Sequence, residues 1–143
     1  MAVQEQNAWA MLVTGVVAVG VYLTLLLINL DGSSITTVAY QPLMLWTIGG
    51  AIVVGIAASI VITIRANVAG EREKPDQRDR EIERFAVSVS QAFLVIGGLA
   101  ALLMALAEWE WFWIANALYF GFALSGILEG ISKVTAYRRG VPW

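Results

Sequence analysis

One acidic residue, Glu129, stands inside a long apolar segment of this chain, where a carboxylate could bind a proton or a cation. A carboxylate among apolar side chains is costly unless it faces a cation, a cavity or the interior of a protein. Lys133 follows four residues later, which is the spacing and the order that favour an ion pair along one helical face. A structural Glu129–Lys133 pair is therefore favoured over a proton or cation site, which stays as the alternative.

Gln91 lies at a depth in the third apolar segment close to that of Glu129 in the fourth. It lies about 9 Å beyond the polar boundary at Phe85, and Glu129 lies about 6 Å inside the boundary at Lys133, at about 1.5 Å per helical residue. A glutamine amide can both donate to and accept from a carboxyl group. The residues that could form one polar site within the apolar segments are therefore Glu129, Lys133 and Gln91.

Residue types that most enzymes use for catalysis are scarce. The chain has no Cys and no His, which excludes disulfides, thiolate chemistry and imidazole bases. Four acids between residues 76 and 83 alternate with arginines, a pattern typical of a solvated, salt-bridged helix rather than a metal site. No motif for a nucleotide, a metal or an acyl-transfer nucleophile is present. We predict no enzyme activity, no cofactor and no metal.

The elements that must position these residues are four apolar segments, at about residues 9–29, 46–64, 85–107 and 113–135. Each is long enough, at about 1.5 Å per residue, to cross a bilayer core of about 30 Å as a helix. The hydrophobic content of 59% leaves little sequence for a separate soluble domain. We therefore predict one all-α transmembrane domain over residues 1–143.

The nine Lys and Arg residues lie between the second and third segments or at the end of the fourth. Four crossings place those two regions on one side of a membrane, and the positive-inside rule makes that side the cytoplasm. Trp46 and the tryptophans of residues 108–113 would form an aromatic belt at the opposite interface. We therefore expect a multi-pass protein of a prokaryotic plasma (inner) membrane with cytoplasmic N- and C-termini.

Turn and capping residues refine the four helices, which we predict at about 8–30, 43–69, 77–107 and 112–138, with a cytoplasmic connection over about 65–84. Turn chemistry at residues 29–32 ends the first helix, and Asp76 is a candidate N-cap for the third. The tight turn at residues 111–113 pairs the third and fourth helices. The fold expected is an integral membrane four-helix bundle of two antiparallel hairpins, N-in and C-in.

The cytoplasmic tail is the expected contact surface. Arg138, Arg139 and Trp143 are candidate contacts for lipid headgroups or for a protein partner. Small residues at four-residue spacing indicate which helix faces pack; whether they pack within one bundle or against a second copy is left open. These faces are Ala51, Gly55, Ser59 and Thr63 on the second helix, Gly97, Ala101 and Ala105 on the third, and Ala117, Gly121 and Ser125 on the fourth. The cations alternate with acids, so nucleic-acid binding is not expected.

Three short stretches together resemble a known family: the residues DREIER at 79–84, FWIANAL at 112–118 and AYRRG at 136–140. The chain resembles, mainly over residues 76–140, a prokaryotic family of small four-span membrane proteins whose function is unknown. In that family the gene often accompanies a small helix-turn-helix regulator. The resemblance implies a membrane partner or a role in a stress response, and it implies no catalytic residues.

Two functions remain after these exclusions. The first is a non-enzymatic accessory or structural protein that associates with another membrane or cytoplasmic protein. The alternative is an oligomeric ion or small-solute channel or transporter that uses Glu129. No continuous polar stripe crosses the apolar segments, and this favours the first function.

Overall fold

Four long α-helices account for most of the chain. The computed structural model describes residues 3–70 and 75–141, and those ranges contain no strand. The helices are α1 (Val3–Ile28), α2 (Tyr40–Val68), α3 (Gln77–Leu106) and α4 (Trp111–Arg139), with one turn of 3-10 helix at Ile35–Thr37 before α2. All four are long and apolar enough to cross a membrane. The predicted all-α class is confirmed.

Local chemistry explains where these helices start and stop. α1 begins at Val3 rather than near residue 8. Glu5 lies in its first turn, where a negative charge interacts favourably with the helix dipole. After α1, Asp31 and Gly32 have positive φ angles of 41° and 76°, so the predicted turn is present. Gly140 ends α4 with a φ of 85°, a conformation that favours glycine.

The start of α3 has a reciprocal cap, as the sequence indicates for Asp76. The backbone N–H of Asp79 donates to Asp76 Oδ1 at 2.8 Å, and the N–H of Asp76 donates to Asp79 Oδ2 at 3.0 Å. Two otherwise unpaired helix donors are satisfied in this way. The first turn of α3 is therefore held rigidly, and the position of the Asp79 side chain is fixed.

The helices contact one another in the order α2, α1, α4, α3, so that α1 and α4 are the central pair. Contacts such as Leu12 with Gly130 and Tyr22 with Asn116 show that α1 and α4 run in opposite directions. The starts of α1 and α3 and the ends of α2 and α4 therefore meet at one end of the molecule, here called the charged end. The other end, with the connections at residues 29–39 and 107–110, is called the aromatic end.

Two glycines of α4 let its neighbours come close. A Cβ atom on Gly121 would lie 2.9 Å from Gly97 Cα of α3, and a Cβ on Gly97 would lie 2.6 Å from Gly121 Cα. Closer to the charged end of α4, a Cβ on Gly130 would lie 2.9 Å from Leu12 Cβ of α1. Membrane helices associate where small residues permit such backbone contact. The small-residue faces that the sequence indicates on α3 and α4 thus pack within the bundle.

The Gly97–Gly121 contact generates a stability prediction with a neighbouring control. Gly97→Ala forces α3 and α4 apart, and we expect a loss of about 1–3 kcal/mol, typical of overpacking. Gly98→Ala meets nothing within 4 Å, so it should leave stability unchanged or raise it by up to about 1 kcal/mol through helix propensity. Equilibrium unfolding in mixed micelles, followed by helical circular dichroism, measures both. Equal stability of the two variants would contradict the contact.

Candidate functional site

Lys133 joins two carboxylates from two helices near the charged end. Its Nζ lies 2.7 Å from Glu129 Oε1 on α4 and 2.8 Å from Glu83 Oε2 on α3. The side chains of Lys133 and Glu129 are 14% and 19% exposed, whereas that of Glu83 is 58% exposed. We call these three residues the Lys133 cluster. Glu129 thus faces a cation inside the protein, and the same cation ties α4 to α3.

The predicted contact between Glu129 and Gln91 is not formed. Gln91 is exposed, and the structure records no hydrogen bond from it to any residue it describes. The preceding residue, Ser90, is 3% exposed and faces the bundle. One residue turns an α-helix by about 100°, so Gln91 points away although its depth matches that of Glu129. Glu83 occupies the place in the cluster that Gln91 was expected to fill.

A second contact between α3 and α4 lies one turn closer to the charged end. The Tyr137 hydroxyl donates to Asp79 Oδ1 at 2.8 Å, and Arg78 donates to the Tyr137 carbonyl at 3.4 Å. Asp79 is also part of the cap of α3. This carboxylate therefore fixes the start of its own helix and the end of the next one at the same time.

The predicted contact residues of the tail have different surroundings. Arg138 Nε lies 3.6 Å from Glu5 Oε1 on α1, and its guanidinium carbon lies 5.3 Å from the centre of the Trp9 ring. Arg138 thus joins α4 to α1, which sequence spacing did not indicate. Arg139 is exposed. Trp143 lies outside the described residues.

The aromatic end is closed by a cluster of six buried side chains from α1, α2, α4 and the connection before α2. We call this the aromatic cluster; its members are Tyr22, Leu26, Val38, Tyr40, Phe112 and Tyr119. The rings of Tyr40 and Phe112 meet edge to face at 5.1 Å, which links the starts of α2 and α4. Tyr22 donates to Asn116 Oδ1 at 2.6 Å, and the Asn116 amide donates to the Phe112 carbonyl at 2.8 Å. Buried polar groups here are therefore paired, as burial requires.

A groove of about 1240 Å³ separates α2 from α4, with α1 as its floor. On α1 its lining extends from Gln4 to Val19, or about 22 Å of helix. Its wall on α2 includes Ala51, Gly55 and Ser59, and a Cβ on Gly55 would meet nothing within 4 Å, so the small-residue face of α2 borders open space at Gly55. Toward the aromatic end the lining stops at Val19, Thr47 and Tyr119, and Tyr119 belongs to the buried aromatic cluster, so the groove is blind at the aromatic end.

Charged and polar side chains are concentrated at the opposite end of this groove. The ionisable ones from α3 and α4 are Asp79, Arg80, Glu83, Arg84, Lys133 and Tyr137. The Ser59 hydroxyl donates to Asn7 Oδ1 at 3.1 Å and so joins α2 to α1 at the same level. The groove is consequently amphipathic, with an apolar interior and a charged mouth.

Sequence reasoning identified Glu129 and Lys133 but missed Glu83, Asp79 and the groove. A signal for Glu83 was present: it lies two residues before Phe85, at the polar boundary of the third segment, and Lys133 lies at the corresponding boundary of the fourth. Matching the boundaries of adjacent antiparallel helices would have paired them. The groove has no comparable signal, because the small residues that line it are the same types that pack helices together.

Comparisons with protein-family models, curated proteins and solved structures found no match to this chain. The resemblance to the family of small four-span membrane proteins therefore stays a prediction.

The unequal exposure of the two carboxylates generates a prediction for the Lys133 cluster. Charged hydrogen bonds that are shielded from water are worth about 1.5–3 kcal/mol, whereas exposed pairs contribute about 0–1 kcal/mol. A double-mutant cycle with Lys133→Met and Glu129→Gln should give a coupling energy in the first range, and the cycle with Glu83→Gln should give one in the second. Unfolding in mixed micelles measures both. A larger coupling for Glu83 than for Glu129 would contradict the burial argument.

Proposed function

We propose that this chain is a non-enzymatic integral membrane protein that acts as an accessory or structural component of a membrane assembly. Its partner is another membrane or cytoplasmic protein. The observation that carries this proposal is the Lys133 cluster, in which the one carboxylate of the apolar segments is paired by a cation. A carboxylate that is paired at 2.7 Å with a lysine of its own helix and is largely shielded from solvent stabilises local structure, and this favours a structural role over conduction.

The blind groove also supports an accessory role. A channel or transporter needs a polar path or alternating access across the membrane. The polar lining of the groove is concentrated at the charged end, and the aromatic cluster closes the other. Within the described residues, the buried Thr47 and Asn116 of the aromatic end donate to backbone carbonyls of their own helices, and Asn116 also accepts from Tyr22. These hydrogen bonds stabilise the helices and their contacts, which favours a structural role over conduction.

The proposed topology is two transmembrane hairpins with both termini in the cytoplasm of a prokaryotic cell. Every Lys and Arg that the structure describes lies at the charged end, and a prevalence of cations marks the cytoplasmic side. Trp46, Trp109 and Trp111, each more than half exposed, lie at the aromatic end, where indole rings suit the opposite interface. The charged end carries the described cations and most of the described acids, so the partner binds there.

Labelling of single cysteines tests this topology without interference, since the native chain has no Cys. Ser33→Cys lies in the connection between α1 and α2, and Gln77→Cys lies at the start of α3; both positions are exposed. In intact cells an impermeant maleimide should label the first and not the second. After lysis it should label both. Labelling of Gln77→Cys in intact cells would overturn the cytoplasmic placement of the charged end.

Co-purification tests the accessory function. The tagged chain, extracted from its native membrane in a mild detergent, should retain a second polypeptide in a fixed ratio. Arg139→Gln should reduce that ratio, because it removes an exposed charge at the charged end. Glu110→Gln is the matched control, since it removes an exposed charge at the other end of α4 and should leave the ratio unchanged.

Two results would contradict the accessory function. One is the absence of any second polypeptide at a fixed ratio. The other is ion flux through the purified chain in liposomes that Glu129→Gln abolishes, which would instead support the channel or transporter.

A further inference from the structure

Two arginines at the mouth of the groove have no carboxylate partner among the residues that the structure describes. Arg80 and Arg84 both line the groove, and the ion pairs of the described chain involve other cations, Lys133 and Arg138. They stand one helical turn apart on α3, a spacing that places their Cβ atoms about 5–6 Å from each other. Two guanidinium groups at that separation can converge on one phosphate.

The carboxylates near these arginines are already engaged. The Asp79 carboxylate accepts from the Tyr137 hydroxyl and from the backbone N–H of Asp76 in the helix cap, and Glu83 pairs with Lys133. The groove lining contains three cations (Arg80, Arg84 and Lys133) and two anions (Asp79 and Glu83), and Lys133 is paired with Glu129 as well as Glu83. The attraction for an anion therefore comes from Arg80 and Arg84, which have no carboxylate within ion-pair distance among the described residues.

The apolar part of the groove continues from this anion-attracting mouth toward the middle of the helices. Its walls are mostly apolar or small, including Met11, Ile52, Phe122 and Ile127. The volume of about 1240 Å³ exceeds the roughly 300–1,000 Å³ of sites for small soluble ligands. Because the groove is open along its side and blind at the aromatic end, a ligand would enter laterally from the membrane, with its polar group at the charged end.

We propose that the groove binds one anionic phospholipid, with its phosphate held by Arg80 and Arg84 and its acyl chains packed between α2 and α4. This goes beyond the accessory function and does not depend on it. A free phosphate ester would satisfy the two arginines but would leave the apolar groove unfilled. A zwitterionic lipid would fill the groove but would gain less from the two arginines, because its own cationic group offsets the phosphate charge that they bind. An anionic lipid matches both features.

The test uses the full chain in detergent micelles and native mass spectrometry, with phosphatidylglycerol and phosphatidylcholine of identical acyl chains as probes. The chain should retain one phosphatidylglycerol in preference to phosphatidylcholine. Arg80→Gln with Arg84→Gln should reduce that preference by about fivefold for each arginine removed, or about 25-fold for both. Arg65→Gln with Arg139→Gln, which removes two other charged-end cations that do not line the groove, is the control and should change it little.

Filling the groove provides an independent arm. Gly55 lines the groove and a Cβ on it meets nothing within 4 Å, so Gly55→Leu should fold and displace the acyl chains. Gly49 on the same helix also has open space around it but lies outside the groove. We therefore expect Gly55→Leu to lower retention of both lipids and Gly49→Leu to have no effect. Circular dichroism verifies that both variants keep their helices.

Three results would overturn the lipid site. The first is equal retention of the two lipids by the unmodified chain. The second is undiminished lipid retention in Gly55→Leu. If that variant also converted a dimer to a monomer, the occupant of the groove would be a second copy of the chain rather than a lipid. The third is displacement of bound phosphatidylglycerol by soluble glycerol 1-phosphate alone, because the arginines would then bind phosphate without the groove.

Discussion

The close approach of α4 to both of its neighbours is the contact on which the rest of the structure depends. Gly121 allows α3 to approach α4 closely, and Gly130 allows α1 to do so. A methyl group at either glycine would lie under 3 Å from an atom of the neighbouring helix. Inside a membrane there is no hydrophobic force between apolar helices, so close packing and polar contacts must hold them together. With α4 fixed between α3 and α1, Lys133 can reach Glu83 and Tyr137 can reach Asp79.

The polar contacts follow from that backbone arrangement and are divided between the two ends. At the charged end, ion pairs and Asp79 join α3 and α1 to α4. At the aromatic end, ring contacts and the Tyr22–Asn116 hydrogen bond join α1, α2 and α4. α2 contacts mainly α1 along its length. It is joined to α4 through the aromatic cluster, and the groove between α2 and α4 results from this one-sided attachment.

The sequence predicts the helices well because their signals are local. Apolar length, the turn at residues 29–32, the cap at Asp76 and the final Gly140 each act within a few residues, and the structure has all of them. The Glu129–Lys133 pair is also local, since both residues lie one turn apart on α4. Gln91 and Glu83 show where local reasoning stops. Depth in the membrane follows from counting residues, but the direction of a side chain around the helix axis depends on which faces pack.

The same limit explains why the groove could not be inferred. A stripe of small residues on α3 meets another helix at Gly97, and a similar stripe on α2 meets open space at Gly55. Both stripes consist of small residues at four-residue spacing, and the order of the helices in space decides which of them meets another helix. The difference between a packed face and an empty one is therefore a property of the tertiary arrangement.

The closure of the groove at a single end makes the molecule unequal in the two halves of a bilayer. Near the aromatic end, α1, α2 and α4 meet around shared side chains, and lipid there surrounds a filled outline. Toward the charged end, α2 and α4 are separated by the groove, and lipid there meets an indented outline. The lateral area that the protein takes from each leaflet then differs.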